Sequence, residues 1–248
     1  YRIEPGTRPG DLLQRLVDGK VLLHPLTIVE GWTFAQMRAY LARQPFLRHT
    51  LEGASPEVVM QRIGRPGIHP EGRFLPDTYH FPRGTSDVEC LKRAYAAMES
   101  FLAEAWAERD PGLPLETPYE ALILASIIEK ETAVPEERPL IAGVFVRRLQ
   151  RGMRLQTDPT VIYGLGEAFD GNIRYRDLRR DTPYNTYTRK GLPPTPIALP
   201  GREAILAALH PAPGDALYFV ARGDGTHEFS ATLDAHNRAV RKYQLKRR

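Results

Sequence analysis

Cysteine is nearly missing from this chain: Cys90 stands alone among 248 residues. One thiol closes no internal disulfide and builds no zinc or iron–sulfur cluster. It suits a reducing compartment and equally an exported protein that avoids thiols, so the compartment stays open. Long apolar runs are missing too. The longest, residues 121–128 with Ser126 inside it, falls far short of the about 20 residues that cross a bilayer. The chain as given is expected to be soluble, and its start at Tyr1, without Met or a signal peptide, is expected to reflect trimming. No glycine-rich phosphate loop, His-Glu-x-x-His pair or Gly-x-Ser-x-Gly elbow occurs. The seven histidines are scattered without a ligand-like pair, so neither metal nor cofactor is expected. Lysine is scarce, six against 28 arginines, and the net charge is only +4. Acidic Asp177 and Asp181 interrupt or border the basic run at 174–180, and the run at 241–248 has the look of a solvated helix end, so no nucleic-acid partner is expected.

What is present is globular: 42% hydrophobic and 26% charged residues exclude a collagen-like, coiled-coil or disordered chain. Residues 1–65 read as a small α/β unit. Leu12, Leu13, Leu16 and Val17 have helical spacing before Gly19, a strand is expected at 26–29, and Thr33 opens a helix bearing Phe34, Met37, Tyr40 and Leu41. Residues 66–248 read as a second, helix-rich domain. Helices are expected over 87–107, 119–132 and 136–150, and a short one is expected with Asp158 and Pro159 as its cap and first residue. The stretch 169–200 is long, irregular and rich in Tyr, Thr, Asn and Pro, which favours an ordered and functional loop. A helix at 201–209, a hairpin turning at Gly223-Asp224-Gly225 and a last helix from Thr232 follow. The fold class expected is α+β.

One helix carries chemistry. With Leu124 at zero and about 100° per residue, Glu131 falls in the middle of the apolar stripe while Glu129 falls on the far side. Burial without a fixed cation raises a carboxyl pKa, as a general acid at neutral pH requires. Two other readings stay open at this point: the helix ends before Glu131, or Arg138 or Arg154 pairs with it.

The motifs go further. Glu129-Lys130-Glu131-Thr132-Ala133 is followed by Arg154-Leu155-Gln156-Thr157-Asp158-Pro159-Thr160, then Pro183-Tyr184-Asn185-Thr186-Tyr187, Gly191-Leu192-Pro193-Pro194, Ala208-Leu209-His210-Pro211 and Leu217-Tyr218-Phe219-Val220. Together with Glu71-Gly72-Arg73-Phe74-Leu75-Pro76-Asp77-Thr78, these resemble, in order and spacing, the endolytic murein transglycosylase family. The unit at 1–65 resembles the LysM glycan-binding repeat that belongs to that family. The resemblance implies a peptidoglycan lyase that cuts between N-acetylmuramic acid and N-acetylglucosamine and leaves 1,6-anhydromuramoyl ends, terminating or releasing nascent strands. It implies a single-pass anchor ahead of this chain, a catalytic domain outside the inner membrane, glycan strands as substrate and peptidoglycan synthases as possible partners. The family's catalytic acid falls on Glu131, the residue the helical wheel also selects.

Further roles follow from that reading. Gln156 and Asn185 are expected to bond acetamido or hydroxyl groups, and Thr157, Thr186 and Tyr187 to fix Glu131 or line the cleft. Tyr163 and Tyr184 are expected to present flat faces to sugars, with core packing equally open. Arg154 is expected to meet muramoyl carboxylates or to form a structural ion pair. Asp158 is expected to cap its helix rather than serve as a second carboxylate, and His210 and His227 to be structural or surface residues. Seven prolines between Asp181 and Gly214 are expected to stiffen the wall of the cleft. Two alternatives stand beside the lyase: a hydrolytic muramidase, and a silent wall-binding scaffold that would have no need of the Glu-Lys-Glu-Thr segment.

Overall fold

A computed structural model describes residues 3, 5–19 and 21–245. Tyr1 and the last three residues of the terminal basic run lie outside the described residues. The first part runs through helix α1 (Pro9–Val17), strand β1 (Leu23–Ile28), helices α2 (Phe34–Leu41) and α3 (Pro56–Arg62), and strand β2 (Asp77–Pro82). Thr33 starts α2 with a reciprocal cap: its side chain accepts from Gln36 N–H, and the Gln36 side chain accepts from Thr33 N–H. Helix α3 has too few residues to show a helical period, and only Ser55 before Pro56 marks its start.

Strands β1 and β2 pair antiparallel, with Leu26 opposite Tyr79 and Ile28 opposite Asp77. The division expected at 65/66 therefore runs between two strands of one sheet. The apolar cluster under that sheet joins Leu26, Met37, Met60 and Phe74 to Leu91 and Tyr95 of helix α4 (Asp87–Ala107).

A second cluster forms where α4, α5 (Pro118–Glu131), α6 (Arg138–Gln150) and α9 (Arg202–Leu209) meet, around Leu122, Leu124, Ile127, Phe145 and Ile205. Helix α5 is buried at eight successive residues, from Ala121 to Ile128. A helix apolar all round is a core helix, not an amphipathic one. Hence Glu129 does not point to solvent, as the single-stripe wheel expects. It is half-buried, and its Oε2 accepts from the Gly201 N–H at the start of α9 (2.9 Å).

After α6 come α7 (Asp158–Leu165), the short α8 (Tyr175–Arg179), strands β3 (Tyr218–Ala221) and β4 (His227–Ser230), and α10 (Leu233–Val240), which runs into a π-helical turn at Arg241–Leu245. In the terminal hairpin Phe219 faces Phe229 and Ala221 faces His227. The long stretch before α9 is ordered. It holds α8 and ends in a buried strip at 195–200 between α5 and the N-terminal unit. There Gly31 N–H donates to Leu199 O (2.9 Å), and Leu199 N–H donates to Trp32 O (2.7 Å). Gly72 passes so close that a Cβ on it would lie 2.5 Å from Pro196, and its φ of +77° already favours glycine. No helix of the described residues is long and apolar enough to cross a membrane.

Ser126, inside the apolar run, resolves the break it makes there. Its hydroxyl donates to Ile123 O (2.7 Å) and accepts from the buried Ile197 N–H (3.0 Å). Ser126→Ala leaves that N–H without a partner and should cost about 1–3 kcal/mol. Urea denaturation of the two proteins should show a lower midpoint with an unchanged slope.

Candidate active site

Glu131 is the last residue of α5, and Thr132 leaves the helix in extended conformation. Across from it Thr157, the residue ahead of α7, donates its hydroxyl to Glu131 Oε1. Thr157 is held from behind. Its N–H donates to Thr186 Oγ1 (3.1 Å), which shares a further hydrogen bond with Thr160 Oγ1 (2.9 Å). The preceding turn places Gln156 at φ 55°, left-handed for a side-chain-bearing residue. The buried Arg148 stitches that turn by donating to Arg154 O (3.0 Å), Leu155 O (2.9 Å) and Gln156 Oε1 (3.3 Å).

Glu131 faces a cavity of about 510 Å³, shared with Gln156, Asp158, Tyr187, Arg148, His227 and His236 among others. Protein atoms crowd its remaining sides. Burial pushes its carboxyl up to about 7, against the opposing pull of the Thr157 hydrogen bond, and the neighbouring Asp158 adds to the rise. Among the described residues no cation pairs with Glu131. Neither Arg138 nor Arg154 does so, and the helix reaches Glu131 before it ends.

Two of the binding residues expected from sequence line this cavity: Gln156 and Tyr187. Thr157 touches the acid directly, and Thr186 stands one bond behind it. Asn185 is buried, and its amide group donates to the carbonyls of Asp177, Leu178 and Arg180 while its Oδ1 accepts from Tyr187 N–H. Tyr163 and Tyr184 do not line the cavity. Their rings meet each other at 4.9 Å, Tyr163 donates to Glu71 Oε2 (3.0 Å), and Tyr184 bonds Thr195 (2.8 Å). The prolines of the 181–214 stretch do not line it either; two of them, Pro196 and Pro200, lie in the buried strip at 195–200.

Asp158 departs from its expected capping role. Thr157 occupies the cap position, and the Asp158 carboxylate accepts from the Tyr187 hydroxyl (2.6 Å) inside the cavity. Burial and that carboxylate push the Tyr187 phenol upward, so it remains a donor.

Sequence reasoning missed the far wall. His227, expected to be a structural or surface residue, lines the cavity, and so do His236, Asn237 and Arg148. The Leu217-Tyr218-Phe219-Val220 motif was the available signal: Tyr218 and Phe219 form the floor of that wall, and His236 stacks on Tyr218 at 5.3 Å. Among the described residues no group of three or more His, Cys, Asp and Glu is placed to hold a metal.

A buried acid of raised proton affinity, at a helix end over an open cavity in an α+β fold, is a candidate acid–base site. Comparison with known proteins gives the family. The model of the YceG-like family matches residues 1–242. A Bacillus subtilis (strain 168) protein named endolytic murein transglycosylase is 33% identical over 260 residues, covering 98% of this chain and 72% of its own length. A Streptococcus pneumoniae (serotype 2, strain D39 / NCTC 7466) protein of the same name is 34% identical, over 97% of this chain and 49% of its own length. The chain thus spans about half of that pneumococcal relative. A 2.6 Å crystal structure of a yceG-like protein from Listeria monocytogenes superposes with a TM-score of 0.72 at 34% identity, covering 96% of this chain and 83% of that one. The chain belongs to the YceG-like family.

The raised carboxyl also has a stability consequence. The unfolded chain releases this proton near the ordinary 4.5, whereas the folded protein holds it to about 7. Stability linked to Glu131 is therefore complete below the lower value and is lost as pH rises through the upper one. Glu131→Gln, which never ionises, should melt above wild type at about pH 8, with the gap closing toward about pH 4. Thermal scans at the two pH values check this.

Proposed function

We propose that this protein is a peptidoglycan lyase that cleaves the glycan strand internally, between N-acetylmuramic acid and N-acetylglucosamine, without consuming water. The observation that carries the reading is Glu131, an acid held protonated to about 7 by burial and facing a cavity. Hydrolytic glycosidases divide the work between two carboxylates roughly 5–9.5 Å apart. In the lytic reaction one residue serves twice. Glu131 gives its proton to the glycosidic oxygen as the bond to the anomeric carbon breaks, and the acetamido oxygen of the muramoyl residue supports the developing positive charge. The Glu131 carboxylate then takes the proton of that sugar's own C6 hydroxyl, whose oxygen closes on the anomeric carbon. The product is a 1,6-anhydro end and the acid is reset.

Thr157 steadies the acid and favours its charged form. Gln156, Tyr187 and the lining residues of the far wall offer hydrogen-bonding groups to the strand. The setting of the reaction rests on the family resemblance: residues 1–65 as a LysM-like glycan-binding unit, an anchor ahead of the chain in the inner membrane, and synthases as neighbours whose nascent strands are ended.

Digestion of purified murein sacculi followed by mass spectrometry tests the reading. Anhydromuramoyl ends are the expected products. Reducing muramic ends would mean hydrolysis, and no release by a folded protein would mean a scaffold. Glu131→Gln should lower turnover by at least about 100-fold, the scale of general acid catalysis. An active variant sinks the assignment. Because the acid must be protonated, activity should fall as pH rises past about 7. Thr157→Val removes a donor to the charged form, so that alkaline limb should move upward in a pH–rate profile.

A further inference from the structure

The far wall of the cavity holds a polar pair that the reaction as described leaves unused. His227, at the start of β4, is bound to Glu137 at two points: its backbone N–H donates to Glu137 Oε1 (2.7 Å), and its ring Nδ1 lies 2.7 Å from Glu137 Oε2. Both side chains are largely buried, at 12% and 10% exposure. Thr132, the residue after Glu131, also donates to Glu137 Oε2 (3.2 Å), so the pair is tied to the end of the catalytic helix. Phe219 stands edge-on to the imidazole at 5.4 Å and Phe229 at 6.5 Å.

The two-point contact decides the tautomer. Burial works against the charge on Glu137, but the hydrogen bonds from His227 outweigh it and hold the carboxyl below its ordinary value. A carboxylate only accepts, so the ring hydrogen sits on Nδ1. In the neutral ring Nε2 then carries the lone pair, and among the described residues it has no hydrogen-bond partner. The ring lines the cavity with Phe219 and Phe229 against it, and Nε2 is left accessible there to a donor. The exposed Asp158, already holding Tyr187, is the alternative acceptor in the same cavity.

We infer that His227, set in the Nδ1–H tautomer by Glu137, is a further catalytic residue: its Nε2 accepts a hydrogen bond from the acetamido N–H of the sugar whose anomeric bond is broken. The inference rests on the lytic reading and deepens it. As the acetamido oxygen bonds to the anomeric carbon and the glycosidic oxygen leaves with the proton of Glu131, positive charge spreads to the acetamido N–H. The His227 acceptor strengthens at that moment. When the C6 oxygen attacks, the bond from the acetamido oxygen breaks, the C6 proton passes to Glu131, and the N–H stays on nitrogen throughout. Glu137 never touches the sugar and is a positioning residue.

Glu137→Gln isolates this role. The amide oxygen can keep the backbone N–H of His227, which turns the NH₂ toward Nδ1 and forces the ring hydrogen onto Nε2. The acceptor becomes a donor with little change in shape. Nitrogen-15 NMR of histidine-labelled protein should show Nδ1–H in wild type and Nε2–H in the variant. On murein glycan strands, kcat should fall about tenfold or more while KM holds, the pattern of an interaction made in the transition state. An inverted tautomer with undiminished kcat overturns the inference and leaves the lytic reading standing. A second pair of variants does not depend on how Glu137→Gln folds. His227→Gln can set an amide oxygen where Nε2 stood and should keep more activity than His227→Asn, which reaches no further than Nδ1. Equal activity of the two, or Asp158→Asn reproducing the kcat loss that His227 variants fail to show, overturns it. Wild-type digests with reducing ends, or with no products, overturn the lytic reading and this inference with it, and that result is visible before any variant is made.

Discussion

A carboxyl that keeps its proton to about 7 must be surrounded without being neutralised, and the contact between Glu131 and Thr157 meets both conditions. A hydroxyl orients the acid but supplies no full charge. The nearby cation that would spoil the arrangement, Arg148, is occupied with four acceptors on the 154–156 turn and on Leu217. The same guanidinium holds Gln156 in its left-handed conformation, and that turn delivers Thr157 to Glu131. Remove the burial of α5 and the acid ionises at ordinary pH; remove the stitched turn and it loses its one orienting partner. The rest of the domain maintains this single contact.

The four residues of the Glu-Lys-Glu-Thr segment show how tightly it is pinned, because each is held by a different part of the protein. Glu129 accepts from the N–H of Gly201, which caps α9 (2.9 Å), Lys130 donates to Gly31 O in the N-terminal unit (3.2 Å), Glu131 faces the cavity, and Thr132 reaches Glu137 (3.2 Å). The N-terminal unit is thus part of what positions the helix end. A second tie reinforces it from the other side. Buried Glu71 accepts from Phe34 N–H in α2 (2.8 Å) and from Tyr163 in α7 (3.0 Å), and burial pushes its carboxyl up to about 7 as well. Helices α5 and α7, which bring the acid and its hydroxyl partner together, are each fastened to the same small unit.

How much of this was legible in the sequence depended on whether the signal was local. Helices α4, α5 and α6 are long, carry caps or prolines at their starts, and lie where the sequence patterns place them. The hairpin is marked by its Gly-Asp-Gly turn, with strands where the pattern places them. Helix α3 and strand β2 were hidden because seven and six residues are too few for a period to stand out, and β2 forms only against β1, far back in the chain. The burial of Glu131 was legible from a helical wheel, although the wheel misplaced Glu129 by assuming one buried stripe on a helix buried all round. Tyr163, Tyr184 and Asn185 show the limit of motifs. Their place in a recognisable segment says that they matter to the fold around the site, but not that they face the cavity. Asp158 shows the limit of local rules: Asp-Pro is a good helix start, yet a phenol from another loop recruits the carboxylate for the cavity.

The part of His227 in the far wall was illegible for a deeper reason. Nothing within β4 distinguishes His227 from a surface histidine; its chemistry is created by Glu137, which is brought to it by the turn between α5 and α6. That turn begins at Thr132, immediately after the acid, so one short stretch of chain sets the position of Glu131 and the proton arrangement of His227 together. A glycosidase of the two-carboxylate type needs its second carboxylate in the cavity, where water and cations reach it. Here a second carboxylate can act one step removed: Glu137 stays behind the wall, and the imidazole carries its accepting character to the sugar. Such a relay suits a reaction in which the second group must accept a hydrogen bond without taking a proton, because an acceptor set back from the substrate neither attacks the anomeric carbon nor activates water beside it. Support of the acetamido group follows from that placement, while Asp158, the carboxylate that does lie in the cavity, is held by the Tyr187 hydroxyl (2.6 Å).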